Sequence, residues 1–245
     1  MSKNNFLCIF ALILSLGAKS QTFNYAVTTL NNPFLSSKGD AVLGIGWGRG
    51  AAFQALELQG VYSFKPHLAL MANYFGAGDS RVRKKQEYGS DFRMWEIGIG
   101  AYEQVPKGAA SLFGGFAAGK LFSNFGLDRT AKFALQRWFL QPGLHYRGRY
   151  FQAGLALRLS YLSHKKGDIS YSIESPDIQY IQNIEKKTPM FLPELGVQGG
   201  IRFDPIVVKL CISSIFPNTG AWDFDRINSC LSVTVGFGAK REKKL

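Results

Sequence analysis

Apolar and polar residues alternate along most of the chain after residue 40, and the longest alternation runs from Lys132 to Ser163. Successive side chains of a β-strand point to opposite faces, so this pattern predicts strands with one apolar face. Folding the stretch about Gly148-Arg149 as a two-residue turn with glycine first sets Trp138 opposite Leu159 and gathers nearly all the apolar residues on one face. A slip of one residue would mix the two faces, so the pattern predicts a β-hairpin in this register.

The two predicted strands are longer than the five or six residues that are usual in soluble proteins. They approach the length of about nine to eleven residues with which a tilted strand crosses a bilayer. We therefore expect hydrocarbon to contact the apolar face. Pro142 lies inside the first strand and has no backbone N–H to donate, which predicts a bulge at that point. A secreted soluble β-sandwich is the alternative, but it would not need strands of this length.

The same alternation predicts ten strands between residues 41 and 238, among them Ala41–Arg49, Met190–Phe203 and Ile206–Ile215. Every second connection is short, and these short connections are Lys65-Pro66, Pro106–Gly108, Gly148-Arg149 and Asp204-Pro205. Short periplasmic turns and long external loops are typical of outer-membrane barrels. The sequence therefore predicts an all-β fold, a transmembrane antiparallel up-and-down β-barrel of about ten strands, with eight strands as the alternative.

The pattern divides the chain into four parts. Residues 1–20 have the features of a signal peptide, with Lys3, an apolar run and the small-x-small cleavage site Ala18-Lys19-Ser20. Residues 21–40 are polar and irregular, which predicts a periplasmic lead-in. Residues 41–238 form the predicted barrel, and residues 239–245 are predicted to be a basic periplasmic tail.

Charge changes the picture only in part. Cleavage before Gln21 removes two lysines and no acids, so the formal net charge of +12 becomes 12 − 2 = +10. The basic residues are scattered among turns, loops and the tail, which argues against nucleic acid as a partner. We expect outer-membrane lipid as a partner, with lipopolysaccharide phosphates near the bases of the external loops, although solvation of the loops explains these bases equally well. The bases concerned are Arg81, Arg83, Lys84, Lys85, Lys165, Lys166, Lys186 and Lys187.

Three stretches carry a family resemblance: the export signal, the hairpin KFALQRWFLQPGLHYRGR…LALRLSYL and the apolar last strand LSVTVGFG. They resemble the small outer-membrane β-barrels of Bacteroidetes-type Gram-negative bacteria, a functionally uncharacterised group. The resemblance covers most of residues 41–238 and implies a location in the cell outer membrane. Barrels of this kind usually end on an aromatic residue, whereas here Phe237 is followed by the basic tail AKREKKL.

A set of charged residues has the strand parity that faces away from lipid. Its members are Glu57, Glu96, Lys120, Arg137, Arg158, Glu194, Arg202 and Lys209. A charge that faces lipid at mid-bilayer costs about 2–4 kcal/mol in a barrel, so these residues are expected to pair inside. A ten-stranded barrel is only slightly wider than one that side chains fill, so we expect a filled lumen. The alternative is a narrow path that favours anions, because bases outnumber acids in the set.

Cys211 and Cys230 share the inward parity on consecutive strands and are expected to lie nearly opposite each other. An oxidising envelope would allow them to form a disulfide, and two reduced buried thiols are the alternative. Aromatic residues with outward parity predict an interfacial girdle. These residues are Trp47, Tyr74, Trp95, Trp138 and Tyr161.

Three functions remain compatible with this pattern. The first is a non-enzymatic structural, accessory or anchor component of the envelope, or of a surface or secretion assembly. The second is a narrow anion-favouring channel for small solutes. The third is a lipid-modifying barrel enzyme, for which His164 with Ser163 and Asp168 is the best candidate at the external rim. No metal spacing, phosphate loop or dinucleotide motif is present, so we expect no cofactor and no enzyme.

Overall fold

The computed structural model describes residues 25–50, 53–78, 89–125, 129–165, 168, 189–216 and 224–238. Ten of the strands in these residues close into one antiparallel barrel, and two further short strands pair with each other. The all-β class and the ten-stranded closed barrel predicted from the sequence are therefore confirmed. No helix in the described part of the chain is long and apolar enough to cross a membrane.

The strands are numbered in chain order. They are β1 (Tyr25–Ala26), β2 (Ala41–Arg49), β3 (Gln54–Lys65), β4 (Leu68–Gly78), β5 (Gly89–Val105), β6 (Gly108–Asn124), β7 (Thr130–Arg147), β8 (Phe151–Lys165), β9 (Met190–Phe203), β10 (Ile206–Ile215), β11 (Phe224–Asp225) and β12 (Ile227–Phe237). From β2 to β10 each strand pairs with the next, and β12 closes the barrel between β10 and β2. The short strands β1 and β11 pair in parallel outside the barrel sheet.

Alternating exposure confirms the predicted faces of most strands. On β7, for example, the outward Trp138 is 65% exposed, whereas its neighbour Arg137 is fully buried. The strand ranges predicted for β2, β9 and β10 coincide with the observed ones. Most outward residues of the barrel strands are apolar, as a lipid-facing surface requires, and the exceptions include bases near the strand ends of β5–β8.

The hairpin of β7 and β8 has a different register from the predicted one. Trp138 pairs with Tyr161 and not with Leu159, so the prediction is wrong by two residues. The N–H of Gly148 donates to the carbonyl of Phe151, which places Gly148 in the pair next to the turn. Gly148 also lacks the positive φ that the predicted Gly148-Arg149 turn needs, so that turn is not formed. Because side chains alternate with a period of two, a shift of two leaves both faces unchanged.

Pro142 interrupts the ladder without a bulge. Between β7 and β8, pairing stops after Leu140 with Leu159 and resumes at Gly143 with Ala156 in the same register. Proline has no backbone N–H to donate, and the missing hydrogen bond removes only the strand pairs next to Pro142. The bulge expected from the sequence is therefore not formed, and Pro142 still pairs with Leu112 on the other side.

The two ends of the barrel differ. We call the end with the connections after β3, β5, β7 and β9 the short-turn end, and the opposite end the long-loop end; the first residue of β2 and the last of β12 lie at the short-turn end. β6 has 17 residues and β2 has 9. With a rise of about 3.3 Å per residue and a tilt of about 45°, these lengths give heights of roughly 40 Å and 20 Å. The longer strands must therefore extend past an apolar band about 25 Å tall.

Candidate functional site

The barrel lumen is filled by the chain's own N-terminal segment. Residues 25–33 and Leu35 are buried, and Phe34 is half-buried. We call residues 25–35 the lumen segment. It begins at the long-loop end, where β1 pairs with β11, and leads to Asp40 at the short-turn end. The sequence predicted a periplasmic lead-in for residues 21–40, and for residues 25–35 the structure corrects this because they lie inside the barrel.

Hydrogen bonds from three strands fix the first half of the lumen segment. The Tyr25 hydroxyl accepts a hydrogen bond from the Arg137 guanidinium and donates to Glu194 at 3.2 Å. Thr28 accepts a hydrogen bond from Arg158 Nη1 at 2.9 Å. This half of the segment is thus bonded to charged side chains of the barrel wall.

Amide side chains fix the second half. The carbonyl of Asn31 accepts a hydrogen bond from Gln141 Nε2, and the carbonyl of Asn32 accepts one from Gln198 Nε2, both at 2.7 Å. The side-chain amide of Asn32 donates to two backbone carbonyls of the barrel wall, Leu144 O at 2.8 Å and Leu155 O at 3.1 Å. The segment therefore satisfies polar groups of the lumen that water would otherwise have to satisfy.

Glycine makes room for the segment at one close contact. A Cβ added to Gly196, which faces the lumen from β9, would lie 2.9 Å from Leu30 Cγ. Real Cβ atoms do not approach this closely, so a side chain at this position would have to displace Leu30. Gly199, on the outward face of the same strand, has only an ordinary 3.9 Å contact with Phe151.

Two arginines and two glutamates form a closed quartet beside the lumen segment. Arg137 lies 2.5 Å from Glu96 and 3.1 Å from Glu194, and Arg158 lies 3.0 Å from Glu96 and 3.7 Å from Glu194. We call these four residues the charge quartet. Both arginines and Glu194 are fully buried, and Glu96 is 5% exposed. Buried charges are tolerated only when paired, and here each charge has two partners.

Apolar side chains fill the lumen on both sides of the charge quartet. Towards the long-loop end lies a cluster that contains Tyr25, Phe53, Phe75, Phe92 and Phe133. Towards the short-turn end lies a second cluster that contains Leu35, Val61, Met71, Phe113 and Phe139. Apolar clusters therefore lie on both sides of the charge quartet, and in the short-turn half the cluster lies beside polar lumen residues such as Gln141 and Gln198.

Three further predicted lumen residues face inward at separate places. Glu57 is buried and accepts a hydrogen bond from Asn228 Nδ2 at 2.8 Å. Lys209 is buried on β10 towards the short-turn end. Arg202 lies at the short-turn end, where its guanidinium contacts Asp204 at 2.5 Å. The predicted single network is therefore a quartet with these three residues outside it.

Lys120 is the one predicted lumen residue that faces outward. It is exposed and pairs directly with Arg93, which is also exposed, whereas Ala117 and Leu121 on the other face of β6 are buried. The inward assignment of Lys120 is wrong. Both faces of β6 consist mostly of glycine, alanine and apolar residues, so its alternation does not distinguish the two faces.

The two cysteines are direct cross-strand partners. Cys211 pairs with Cys230 between β10 and β12, as the sequence predicted. Both thiols are free and buried, so the structure contains the reduced alternative. Directly opposed residues on antiparallel strands have Cα atoms about 4.5–5.5 Å apart, which is within the range that a disulfide spans.

The predicted aromatic girdle faces outward. Trp47, Trp95, Trp138 and Tyr161 are exposed on the outer surface, and Tyr74 is half-buried because its ring packs 4.6 Å from that of Trp95.

The histidines and loop bases give no further site. His145 Nδ1 donates to Asn32 O at 3.3 Å in the short-turn half of the lumen, and His164 is buried near Phe133 at the long-loop end. Within the described ranges no cluster of three or more His, Cys, Asp or Glu could hold a metal ion. The signal peptide, the basic tail and all the predicted loop bases except Lys165 lie outside the described residues.

The segment at the short-turn end is tied by Asp40. Its carboxylate accepts hydrogen bonds from Ser36 N and Ser36 Oγ, both at 2.7 Å, and from Ser37 N at 2.9 Å. Partial burial acts to raise the pKa of Asp40, but the hydrogen bonds from Ser36 and Ser37 outweigh it and hold the pKa below its ordinary value. Asp40 therefore anchors the point at which the chain leaves the lumen and enters β2.

Sequence reasoning missed the lumen segment, although a signal was present. Residues 21–37 contain no charged residue, in a chain of which 19% is charged. A segment that is free in water usually carries charges. An uncharged stretch rich in amides and hydroxyls, together with inward-facing Gln141 and Gln198, could have indicated that the segment lies inside.

Comparison with known proteins adds little. No family model and no curated protein matches the sequence. Among solved structures, the chain is similar to a KdgM porin, with a TM-score of 0.37, 9% identity and coverage of 80% of this chain and 99% of that one. It is similar to the translocator domain of the autotransporter NalP from Neisseria meningitidis, with a TM-score of 0.37, 8% identity and coverage of 82% and 86%. It is also similar to a bacterial polysaccharide outer membrane secretin, with a TM-score of 0.26, 11% identity and coverage of 82% of this chain and 98% of that one.

At these scores and identities the likenesses carry no argument about function. The description of the barrel rests on its own closed strand pairing. The resemblance to Bacteroidetes-type barrels stays a prediction.

Proposed function

We propose that the protein is an outer-membrane barrel sealed by its own N-terminal segment, and that it serves as a non-enzymatic structural or anchor component of the envelope or of a surface or secretion assembly. The observation that supports this proposal is the buried lumen segment, bonded on one side to the charge quartet. A conducting pore needs a continuous open path. The lumen segment is buried along the barrel, and apolar clusters lie on both sides of the charge quartet.

The predicted channel loses part of its basis in the structure. With Lys120 on the outer surface, the predicted lumen charges that face inward are four bases and three glutamates. The bases are Arg137, Arg158, Arg202 and Lys209. The two arginines of the quartet are neutralised by Glu96 and Glu194. The remaining excess of positive charge is small, so anion preference in an open lumen would be weak.

Conductance in planar bilayers tests whether the barrel is sealed. We expect the purified protein to insert and remain silent. The Gly196→Leu variant should conduct, because its side chain displaces Leu30 and loosens the lumen segment. The Gly199→Leu variant is the matched control, since the same leucine on the same strand would face lipid and should leave the protein silent.

A second variant protects this test against misfolding. Deletion of residues 25–35 removes the segment altogether and should conduct more than Gly196→Leu. Folding of both variants is checked by the heat-dependent gel mobility of an intact barrel. Steady anion-selective current from the unmodified protein would overturn the sealed barrel and favour the channel, and silence of both folded lumen variants would show that the segment is not the seal.

Co-purification from outer membranes in mild detergent tests the anchor role. A sealed barrel that acts as an anchor should elute with a partner in fixed stoichiometry. Elution of the folded barrel alone, from membranes where it is normally expressed, would contradict the anchor role and leave a solitary envelope component. An unchanged lipid profile in a strain with His164→Ala agrees with a non-enzymatic role, and an altered profile would contradict it.

A further inference from the structure

Four basic side chains form a patch on the outer surface at the long-loop end. They are Arg93, Lys120, Lys132 and Lys165, one from each of the consecutive strands β5, β6, β7 and β8, and all are exposed. We call them the basic patch. The sequence predicts lipid contact for Lys165 but not for Arg93, Lys120 or Lys132. It predicts that Lys120 faces the lumen.

Strand register brings the four together. Arg93 pairs with Lys120, Lys120 pairs with Ala134, and Ala134 pairs with Lys165. Direct partners have Cβ atoms about 4.5–5.5 Å apart and diagonal neighbours lie about 7–8 Å apart, so Lys132 lies diagonally next to Lys120. Like charges directly opposite each other are unfavourable in a sheet. Among the residues that the structure describes, Asp91 contacts Arg93 at 3.4 Å, and the backbone carbonyl of Asp168 accepts a hydrogen bond from Lys132 N at 3.0 Å.

The surface below the patch is aromatic and apolar. Phe116, Trp138 and Tyr161 are direct cross-strand partners and lie on the same strands as Lys120, Lys132 and Lys165. Lys120, Lys132 and Lys165 lie four to six residues from the aromatic residue of the same strand, on its long-loop side, which is roughly 13–20 Å along the strand.

An apolar depression of about 1070 Å³ is lined by outward residues of this face and also by the inward-facing Val61, Met71 and Phe139. It is bordered by the aromatic row and contains the small outward residues Gly60, Ala72 and Gly114. Small residues between large ones leave grooves of the kind that hydrocarbon chains fill by dispersion contacts.

The patch lies on one side of the barrel, on four consecutive strands. Elsewhere at the long-loop end, the described residues include Arg49 on the outward face of β2 and Arg226, which is exposed just before β12. A base that faces lipid is strongly unfavourable at the midplane of the bilayer and close to neutral near its interface. The longer strands β5–β8 carry their bases past the apolar band, to the depth of lipid headgroups.

We propose that the basic patch binds the phosphate groups of an anionic lipid in the outer leaflet, whose acyl chains lie over the aromatic row and the apolar depression. This inference rests on the proposed membrane location and deepens it by assigning a lipid site to one side of the barrel. Phosphate oxygens would supply negative charge opposite these neighbouring bases. The chemistry recognised is a phosphorylated headgroup attached to several acyl chains.

Nanodiscs of defined composition test the proposal. The protein is reconstituted with phosphatidylcholine alone or with added lipid A, and bound lipid A is measured by native mass spectrometry. The variant Lys120→Ala/Lys132→Ala/Lys165→Ala should bind lipid A roughly 100-fold more weakly, since three bases that each contribute about 1 kcal/mol near a membrane surface correspond to about two factors of ten. The control Lys38→Ala/Lys65→Ala/Arg149→Ala removes three exposed bases at the short-turn end and should bind as the unmodified protein does.

The outcomes separate the lipid site from the membrane location. Equal lipid A binding by the two triple variants would overturn the lipid site while leaving an inserted barrel intact. Failure of the unmodified protein to insert into either nanodisc would overturn the membrane location itself. Competition by inorganic phosphate at the same concentration would show a free-anion site and would overturn the assignment to lipid.

Discussion

Each charge of the quartet lowers the free-energy cost of burying its partners inside the barrel. Arg137 is fully buried and joins Glu96 and Glu194, which are also buried. A buried ion pair adds little net stability over an apolar pair, but removal of one partner leaves an uncompensated buried charge. The contribution of Arg137 to stability is therefore that of a neutralising partner, and the loss on truncation exceeds the gain on formation.

We expect Arg137→Met to destabilise the barrel by about 3–5 kcal/mol, because two buried glutamates lose a partner. The free energy of unfolding is measured by urea titration in detergent micelles. Arg149→Met is the control, since Arg149 is exposed in the turn after β7 and should change the value by less than about 0.5 kcal/mol. A loss below about 1 kcal/mol for Arg137→Met would show that the quartet is not buried as described.

Asp40 gives a pH-dependent prediction at the point where the lumen segment ends. Its pKa is lowered in the folded protein by hydrogen bonds from Ser36 and Ser37, so its stabilising effect is present above the ordinary aspartate pKa of about 4 and is lost as pH falls through the folded value. Asp40→Asn should therefore be less stable than the unmodified protein at neutral pH. The difference in unfolding midpoint should shrink below about pH 4, and a difference that persists unchanged in acid would contradict the assignment.

Strands differ in how much their own sequence determines. The alternation along β7 predicts the correct faces for Trp138 and Arg137, because most residues with the parity of Trp138 are apolar and exposed. The register of the same strand was wrong by two residues, because a shift of two leaves the faces unchanged and the turn at Gly148 adopts another geometry. On β6 even the faces were ambiguous, since glycine and alanine occupy both.

The lumen segment was beyond the reach of strand periodicity. Residues 25–35 have an irregular backbone for most of their length, so their side chains follow no period that could show which are buried. Their burial depends on a closed barrel formed by residues much later in the chain, such as Gln141 and Gln198. Only the absence of charge between residues 21 and 37 pointed to it.

The register of β10 and β12 can be tested through their cysteines. Because Cys211 and Cys230 are direct partners, a mild oxidant should convert both to one intramolecular disulfide. The measurement is the loss of both thiols to a maleimide after unfolding, with Cys230→Ser as the control that retains its one remaining thiol. Two thiols that stay reactive after oxidation, or that form dimers instead, would place the strands in another register.

At the scale of the whole molecule, an apolar outer surface and buried charges differ from the arrangement of a soluble protein. Outward side chains such as Trp95, Ile97 and Trp138 are more than half exposed, whereas Arg137 and Arg158 are fully buried. Such an exterior is stable in hydrocarbon and exposes a large apolar area in water. The sealed lumen, the basic patch and the anchor role all depend on lipid around this surface.

Fluorescence quenching by lipids brominated on their acyl chains measures this contact directly. In a Trp222→Phe variant, the remaining tryptophans are Trp47, Trp95 and Trp138, all of which lie on the outer face. The account predicts strong quenching by brominated lipid and weak quenching by iodide added to the water. Strong quenching by iodide with none by brominated lipid would contradict it.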